Sequence, residues 1–257
     1  MSVLSYLESR ASGAILSTDE EESIRKSIET LKNRLFLHFN SKLSEQFRFG
    51  SSTRGTILPR AMDARSDIDY MIVFSDVGYT PQTYLDRLKS FAEKYYYSSE
   101  IKQSSPSIVL ELNHIKFDLV PAVKSYFGYQ IVNLGGGWQE TNPNDFNAKL
   151  TAKNNLELYK IKPMIRLAKF WNAKNGYIYD SFDFEKWMID LSYWSSINLT
   201  QYLFNVFDNL NPYLEQTQWR IDKIERAKKI VTDVRSYEKN GYPLSAEQEI
   251  KKLIPAP

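Results

Sequence analysis

Three aspartates stand at positions that suit divalent-metal chemistry. Asp67 and Asp69 open the apolar run DIDYMIVF, and Asp118 interrupts the apolar run IKFDLVPA. Alternate residues of a β-strand share a face, so Asp67 and Asp69 point to one side while Ile68 points to the other. The same alternation sends Phe117 into the core and turns Asp118 the opposite way.

Carboxylates gathered in this way need cations beside them. Like charges raise each other's pKa and burial disfavours ionisation, so three acids held together are costly without a metal. Hard oxygen ligands suit Mg²⁺, and Mn²⁺ accepts the same ligands. Two such ions about 3.5 to 4 Å apart can activate an attacking hydroxyl and stabilise a leaving pyrophosphate. We therefore predict two Mg²⁺ ions on Asp67, Asp69 and Asp118.

A glycine-serine turn precedes the first aspartate pair. The segment Gly50-Ser51-Ser52-Thr53-Arg54-Gly55-Thr56 offers backbone N–H groups and hydroxyls to phosphate oxygens. Alone, this turn is more often an ordinary loop, and an isolated D-x-D is more often a solvated strand face. The turn, the aspartate pair and the third aspartate in one chain together favour a catalytic site.

The first half of the chain alternates helix and strand signals. A capping box at Ser17 followed by apolar residues at helical spacing predicts a helix from Asp19 to Phe39. Thr80 and Pro81 predict the start of a second helix. Strands are predicted at Glu45 to Phe49, Asp67 to Phe74, Ser107 to Leu112 and Ile115 to Val120, the last two joined as a hairpin.

Helical periodicity dominates the second half. Asn142-Pro143 can open a helix, an apolar stripe runs from Ile161 to Asn172, and further helices are indicated at Phe184 to Ser195, Tyr213 to Tyr237 and after Ser245. We predict an α+β fold with a mixed or antiparallel catalytic sheet and a C-terminal helical lobe. The expected domains are residues 1–140, which contain the sheet and the N-terminal helix, and residues 141–257, which are helical.

Composition excludes several classes of protein and site. The 257 residues contain no cysteine and two histidines, which removes disulfides, thiolate zinc sites and histidine metal cages. Net charge is +2, so no strong nucleic-acid binding is expected. No apolar run approaches membrane-spanning length, and the N-terminus lacks a secretion pattern, so we expect a cytoplasmic protein with no membrane partner.

The motifs taken in order resemble a known enzyme family. FGSSTRGT, SDIDYMIVF, IKFDLVPA, GGWQETNP and IKPMIRLAKFWN are similar to segments of the polymerase beta-like nucleotidyltransferases. Within that superfamily the sequence resembles the bacterial cGAS/DncV-like enzymes of the SMODS type, which make cyclic oligonucleotide signals. The resemblance implies a palm sheet and a helical lobe that enclose a nucleotide cleft.

The resemblance also assigns roles to individual residues. It implies that Gly50 and Ser51 contact the donor triphosphate, that the three aspartates hold Mg²⁺, and that Lys169 and Ser181 contact nucleotide phosphates. Independently of the family, Lys162, Arg166 and Lys169 recur at helical spacing, so one helix face presents a basic stripe suited to polyphosphate. For Lys162 a solvated helix face is an equally good interpretation.

Five other residues could be taken for functional ones, but the prediction does not depend on them. The family suggests that Trp138 lies near the base, but a lid on the core is the favoured interpretation. Asp63 and Asp76 lie in predicted turns and are interpreted as surface acids. His38 and His114 each stand alone, so a hydrogen-bonded or surface histidine is favoured for both.

The predicted reaction joins ribonucleoside triphosphates into a cyclic di- or oligonucleotide with release of pyrophosphate, as antiphage signalling enzymes of this type do. A separately encoded effector protein would sense the product. Transfer of a nucleotide onto a tRNA end or a partner protein uses the same metal chemistry and is the main alternative. A degenerate palm that only binds nucleotide is a second alternative, and retention of all three aspartates argues against it.

Overall fold

The computed structural model describes residues 2–212 and 217–256. Its chain divides into two compact units. One unit, called here the sheet unit, comprises Leu16–Arg60 and Arg65–Lys149. The other, called the helical unit, comprises Met1–Ile15, Ala61–Ala64 and Leu150–Pro257.

Ten α-helices and seven strands are assigned within the described residues, and their mixture confirms the predicted α+β class. The helices are α1 (Val3–Gly13), α2 (Thr18–Phe39), α3 (Ser51–Arg54), α4 (Pro81–Tyr95), α5 (Pro143–Leu156), α6 (Ile161–Lys174), α7 (Ser181–Asp190), α8 (Leu199–Asn209), α9 (Gln218–Lys239) and α10 (Pro243–Leu253). The strands are β1 (Leu43–Phe49), β2 (Asp67–Phe74), β3 (Glu100–Ser104), β4 (Ser107–Glu111), β5 (Lys116–Ser125), β6 (Gly128–Val132) and β7 (Trp138–Thr141).

The seven strands form one mixed sheet. Its main order is β1-β2-β5-β4-β3, and β6 and β7 extend from β5. The central pair, β2 and β5, runs parallel, whereas every other pair is antiparallel. The helix α4 lies between β2 and β5 in the chain, because parallel neighbours need a long crossover connection.

One face of this sheet packs on α2 and α4. The contributing strand residues alternate along β2 and β5 and include Ile68, Tyr70, Phe117 and Leu119. The other face carries a smaller apolar cluster around Met71, Val73 and Ala122. Because Met71 and Val73 share parity with Asp67 and Asp69, that second face is polar at one end and apolar at the other.

The helical unit includes the first helix of the chain. The apolar side of α1, with Val3, Tyr6 and Leu7, is buried, and α1 packs on α6, α8 and α10. The Tyr6 hydroxyl donates to the Ile254 carbonyl at 2.6 Å. Helix α1 therefore packs with the C-terminal helices, and the boundary between the two compact units lies within α5. The division into domains at residue 140 stays a prediction.

Most predicted elements have counterparts with nearby bounds. The segment predicted from Asp19 to Phe39 forms α2, and the predicted strand from Asp67 to Phe74 coincides with β2. The helix predicted from Tyr213 forms from Gln218, and residues 213–216 lie outside the described part. The sequence interpretation missed α1, α8 and strands β3, β6 and β7. Strand β3 consists mainly of exposed residues, whereas most residues of α8 are buried. Among residues 2–212 and 217–256, no helix has the length and apolar character that crossing a bilayer requires.

Candidate active site

The parallel pairing of β2 and β5 places two of the predicted carboxylates side by side. Asp69 is the register partner of Asp118, and Asp67 is the partner of Lys116. Ile68 and Phe117 are fully buried on the opposite face, which confirms the predicted alternation. All three aspartates therefore project from the same face of two adjacent strands.

Gly50 directly follows β1 and lies beside Asp69. Phe49 pairs with Asp69 across the β1–β2 register, and Gly50 follows with a φ of 72°. A Cβ atom at position 50 would lie 1.8 Å from Asp69 Oδ2. The backbone of the turn thus lies against the Asp69 carboxylate, and both the positive φ and the close approach require glycine.

Hydroxyl groups hold the turn after β1 in shape. The Ser52 hydroxyl donates to the Phe49 carbonyl at 3.1 Å, and the Thr53 hydroxyl donates to the Gly50 carbonyl at 2.9 Å. The amides of Thr56 and Ile57 both donate to the Ser51 carbonyl. These contacts explain why the segment is rich in serine and threonine, since short hydroxyl side chains bond to nearby backbone groups in turns.

Lys116 is a residue of the candidate site to which the sequence interpretation gave no role. Its Nζ atom lies 3.0 Å from Asp67 Oδ2 and 3.7 Å from Asp118 Oδ1. Burial alone would lower the pKa of Lys116, but the carboxylates of Asp67 and Asp118 raise it above its ordinary value. The signal that could have revealed this contact is the parity that Lys116 shares with Asp118.

Asp118 is largely shielded from solvent. Burial raises the pKa of Asp118 to about 6, the charge of Asp67 adds to that increase, and the Lys116 ammonium opposes it. The Ser107 hydroxyl donates to Asp118 Oδ2 at 3.4 Å, whereas Oδ1 is buried and accepts no hydrogen bond within the described part of the chain. A buried carboxylate oxygen with no donor is a suitable ligand for a hard cation.

The donor set fits magnesium in chemistry and strand placement, although the side chains are not gathered as a metal centre. Among residues 2–212 and 217–256, no three acidic or histidine side chains are placed to hold one ion. Asp69 lies against Gly50 on the β1 side, while Asp67 is drawn toward Lys116 on the β5 side. The ammonium of Lys116 offsets the negative charge of Asp67 and Asp118 in this arrangement.

Lys169 and Ser181 belong to the helical unit. Lys169 lies in α6 and its Nζ is 2.8 Å from Glu185 Oε1, with both side chains almost fully buried. Ser181 is the first residue of α7, which is capped by the Asp180 side chain. Arg166 is buried too, and desolvation lowers its pKa. In the predicted basic stripe of α6, Arg166 and Lys169 are therefore buried and not exposed to solvent.

Two of the remaining interpretations need correction. Asp63 accepts from the Tyr177 hydroxyl at 2.5 Å, and Asp76 accepts from Arg87 at 2.8 Å, so neither is a simple surface acid. Both groups were misjudged because their partners are distant in sequence or on a separate helix.

The interpretations of Trp138 and His114 agree with the structure, whereas His38 is half-buried among aromatic rings. Trp138 packs against the sheet core and meets the Tyr84 ring edge-on at 5.7 Å, as a lid would. The exposed His114 shares a 2.9 Å hydrogen bond with the Ser27 hydroxyl. His38 packs beside the Phe39 ring, and burial lowers its pKa.

A family model covers more than half of the sequence. Residues 1–154 match the Second Messenger Oligonucleotide or Dinucleotide Synthetase domain, SMODS. This segment contains β1, β2 and β5, which position the glycine turn and all three aspartates. No curated protein gives a significant match to the sequence.

Solved structures share the fold at low sequence identity. E. coli MS115-1 CdnC, solved with ATP, has a TM-score of 0.72 and 17% identity, with 98% of each chain covered. Bradyrhizobium diazoefficiens CdnG, a CD-NTase solved with GTP, has a TM-score of 0.69 and 11% identity over 96% of this chain and 97% of that one. Vibrio cholerae DncV, a cyclic AMP-GMP synthase, has a TM-score of 0.66 and 12% identity over 96% and 77%.

Proposed function

Because this chain belongs to the SMODS family of second messenger nucleotidyltransferases, we propose that it joins ribonucleoside triphosphates into a cyclic di- or oligonucleotide and releases pyrophosphate. Each step is an in-line attack of a ribose hydroxyl on the α-phosphate of a donor triphosphate. A second step in the same site closes the ring or extends the chain. Such chemistry depends mainly on positioning and on stabilising charge that develops on phosphate oxygens.

One observation carries this proposal above the others. Asp69 and Asp118 are register partners on parallel strands, and the Asp69 carboxylate lies against the backbone of Gly50. A carboxylate pair and the glycine-serine turn are thereby joined in one part of the sheet. Sites built on strands hold their side chains more accurately than sites on loops.

Each residue of the proposed site has a role that follows from its position. Asp67 and Asp69 would hold the metal that the donor triphosphate shares, and Asp118 would hold the metal beside the attacking hydroxyl. When bound, divalent cations lower the pKa of that hydroxyl and offset charge on the leaving pyrophosphate. Gly50 and Ser51 would bind the triphosphate, since no side chain at position 50 blocks its approach.

Lys169 and Ser181 stay predicted contacts of the nucleotide phosphates. The Lys169 charge is paired with buried Glu185, so a phosphate contact would add to or replace that ion pair. Because a buried ion pair restricts a flexible lysine side chain, pairing with Glu185 would hold the Lys169 ammonium in a fixed position.

The metal is proposed to be Mg²⁺, two ions per site, with Mn²⁺ as a substitute. The support is the oxygen-only donor set and the buried Oδ1 of Asp118, which accepts no hydrogen bond within the described residues. The partners that follow are ribonucleoside triphosphates and a separately encoded effector that senses the product. A role in antiphage signalling and a cytoplasmic location belong to the same proposal. The E. coli MS115-1 CdnC structures include a complex with a HORMA protein, so assembly with a further protein is a reasonable extension.

The assay that tests this function uses purified protein, the four labelled ribonucleoside triphosphates, and Mg²⁺ or Mn²⁺. After phosphatase treatment, a labelled small product that resists the phosphatase supports the proposal, and its digestion by linkage-specific nucleases identifies the bases and the 2′ or 3′ linkage. Label found only on added RNA or protein would instead favour transfer onto a macromolecule and would contradict the cyclic product.

Two variants separate the chemistry from general damage. Asp69→Asn should abolish product formation, since it removes a proposed ligand with little change in shape. Asp86→Asn is the matched control, because Asp86 is an exposed acid on α4 outside the proposed site. Equal activity of Asp69→Asn and wild type would rule out the proposed site.

A further inference from the structure

Lys116 stands between acids on both neighbouring strands. In β2 its register partner is Asp67, and in β4 its partner is Glu111. Directly opposed residues of neighbouring strands project from the same face, so Asp67, Lys116 and Glu111 form one row across the sheet. The adjacent row on that face contains Asp69 and Asp118.

The Lys116 ammonium is directed toward Asp67, at one end of this row. Lys116 Nζ contacts Asp67 at 3.0 Å and lies 3.7 Å from Asp118, whereas the Glu111 carboxylate contacts Arg60 at 2.5 Å through Oε1. The side chains of Lys116, Asp67 and Glu111 are each about one-fifth to one-third exposed, so the row is partly dehydrated and charges in it interact strongly.

A divalent cation on the Asp67 carboxylate would repel the Lys116 ammonium, which lies 3.0 Å from Asp67 Oδ2, and would compete with it for the same negative charge. We propose that Lys116 is the resident counter-ion of the metal-free site and that its ammonium moves from Asp67 toward Glu111 when a divalent cation binds. Lys116 is thus a positioning residue that sets how readily the aspartates accept metal. The inference rests on the proposed metal site.

This arrangement has a clear physical benefit. Without a cation, Asp67, Asp69 and Asp118 would repel one another on adjacent strands, and the parallel β2–β5 pairing would be weakened. An internal ammonium offsets that repulsion. Glu111 then gives the displaced ammonium a second acceptor on the same face of the sheet, so its charge need not be left buried and unpaired.

The test measures Mn²⁺ binding to nucleotide-free protein by the loss of the electron paramagnetic resonance signal of free Mn²⁺. Lys116→Gln should bind Mn²⁺ about tenfold more tightly than wild type, because no ammonium competes for the carboxylates. The same variant in EDTA at pH 8 should melt about 2–4 °C lower, because the aspartates have lost their counter-ion. Lys124→Gln is the matched control, since Lys124 lies on β5 with the same parity but pairs with Glu45.

A double-mutant cycle isolates the movement toward Glu111. Glu111→Gln alone should weaken Mn²⁺ binding several-fold, because the ammonium loses its second acceptor, and it should have no effect when Lys116 is already Gln. Lys116→Arg keeps the charge and controls for folding; it should remain close to wild type in melting temperature.

The outcomes distinguish this inference from the proposed function. If Lys116→Gln binds Mn²⁺ no more tightly than wild type, or if the Glu111 effect is the same with and without Lys116, the counter-ion role is refuted while the metal site stands. If wild type binds no Mn²⁺ and Asp69→Asn changes nothing, the metal site itself is refuted.

Discussion

At the scale of single residues, Asp118 shows what burying a proposed metal ligand costs the folded chain. Its folded pKa of about 6 lies above the value of about 4 that an aspartate has in an unfolded chain. Below pH 4 the residue is protonated in both states and costs nothing. As pH rises through 4 to 6, the unfolded chain gives up the proton first, so the free energy of unfolding of the metal-free protein falls.

Asp118→Asn should therefore stabilise the metal-free protein while abolishing activity. At pH 8 in EDTA we expect the free energy of unfolding to rise by about 1–3 kcal/mol, because the amide needs no ionisation. The gain should disappear below about pH 4. Urea unfolding at several pH values measures this, with exposed Asp86→Asn as the control; a gain independent of pH would contradict the argument.

Gly50 is a second residue whose identity is fixed by its neighbour. Gly50→Ala places a methyl group on Asp69 and a side chain at a φ of 72°, so we expect a loss of about 1–3 kcal/mol in stability and of activity as Asp69 is pushed aside. Gly78→Ala is the matched control, because φ is 96° there but nothing lies within 4 Å of the added carbon. Equal losses in the two variants would show that backbone strain alone explains the effect.

At the scale of elements, α1 belongs to the packing of the helical unit despite its distance in sequence. Leu7 is fully buried and Tyr6 reaches the Ile254 carbonyl near the end of α10. A short amphipathic segment of this kind gains most of its helical stability from tertiary packing and not from propensity. That is why its sequence alone did not predict it.

Leu7→Ala should consequently destabilise the protein by about 2–5 kcal/mol, the usual cost of a cavity at a fully buried leucine. Leu37→Ala in α2 is the matched control, because 72% of Leu37 is exposed and its loss should change stability by less than about 0.5 kcal/mol. Thermal unfolding of both variants provides the comparison. A small effect of Leu7→Ala would mean that α1 is not part of this core.

At the scale of the whole molecule, charge argues against nucleic acid as an activator. The 33 basic and 31 acidic residues nearly cancel, so the chain lacks the broad positive field that phosphate backbones require. Some basic residues also form ion pairs with carboxylates of their own unit, as Lys116 and Lys169 do.

Double-stranded DNA or RNA should bind with a dissociation constant of about 10 µM or weaker at 0.15 M salt, the range of non-specific contacts. Product formation should not increase when either is added. Fluorescence anisotropy with labelled duplexes, repeated at low salt to reveal the electrostatic contribution, makes the measurement. Sub-micromolar binding at physiological salt would contradict this expectation.

The amino-acid sequence by itself determined the chemistry and the local geometry of the candidate site. Strand alternation sends a residue and its second neighbour to one face, so the common side of Asp67 and Asp69 followed from spacing alone. The apolar run around Asp118 likewise predicted which way that residue turns. The glycine and serine residues of the turn could be recognised in the sequence, but the contact of the turn with Asp69 could not.

Only the tertiary structure decided which strands are neighbours and which charges meet. The parallel register pairs Asp69 with Asp118 and Lys116 with Asp67, and the two residues of each pair are 49 positions apart in the chain. The partners of Lys169, Asp63 and Tyr6 were hidden for the same reason. Sequence periodicity reports a residue's direction from its own element, whereas an ion pair depends on where another element is packed.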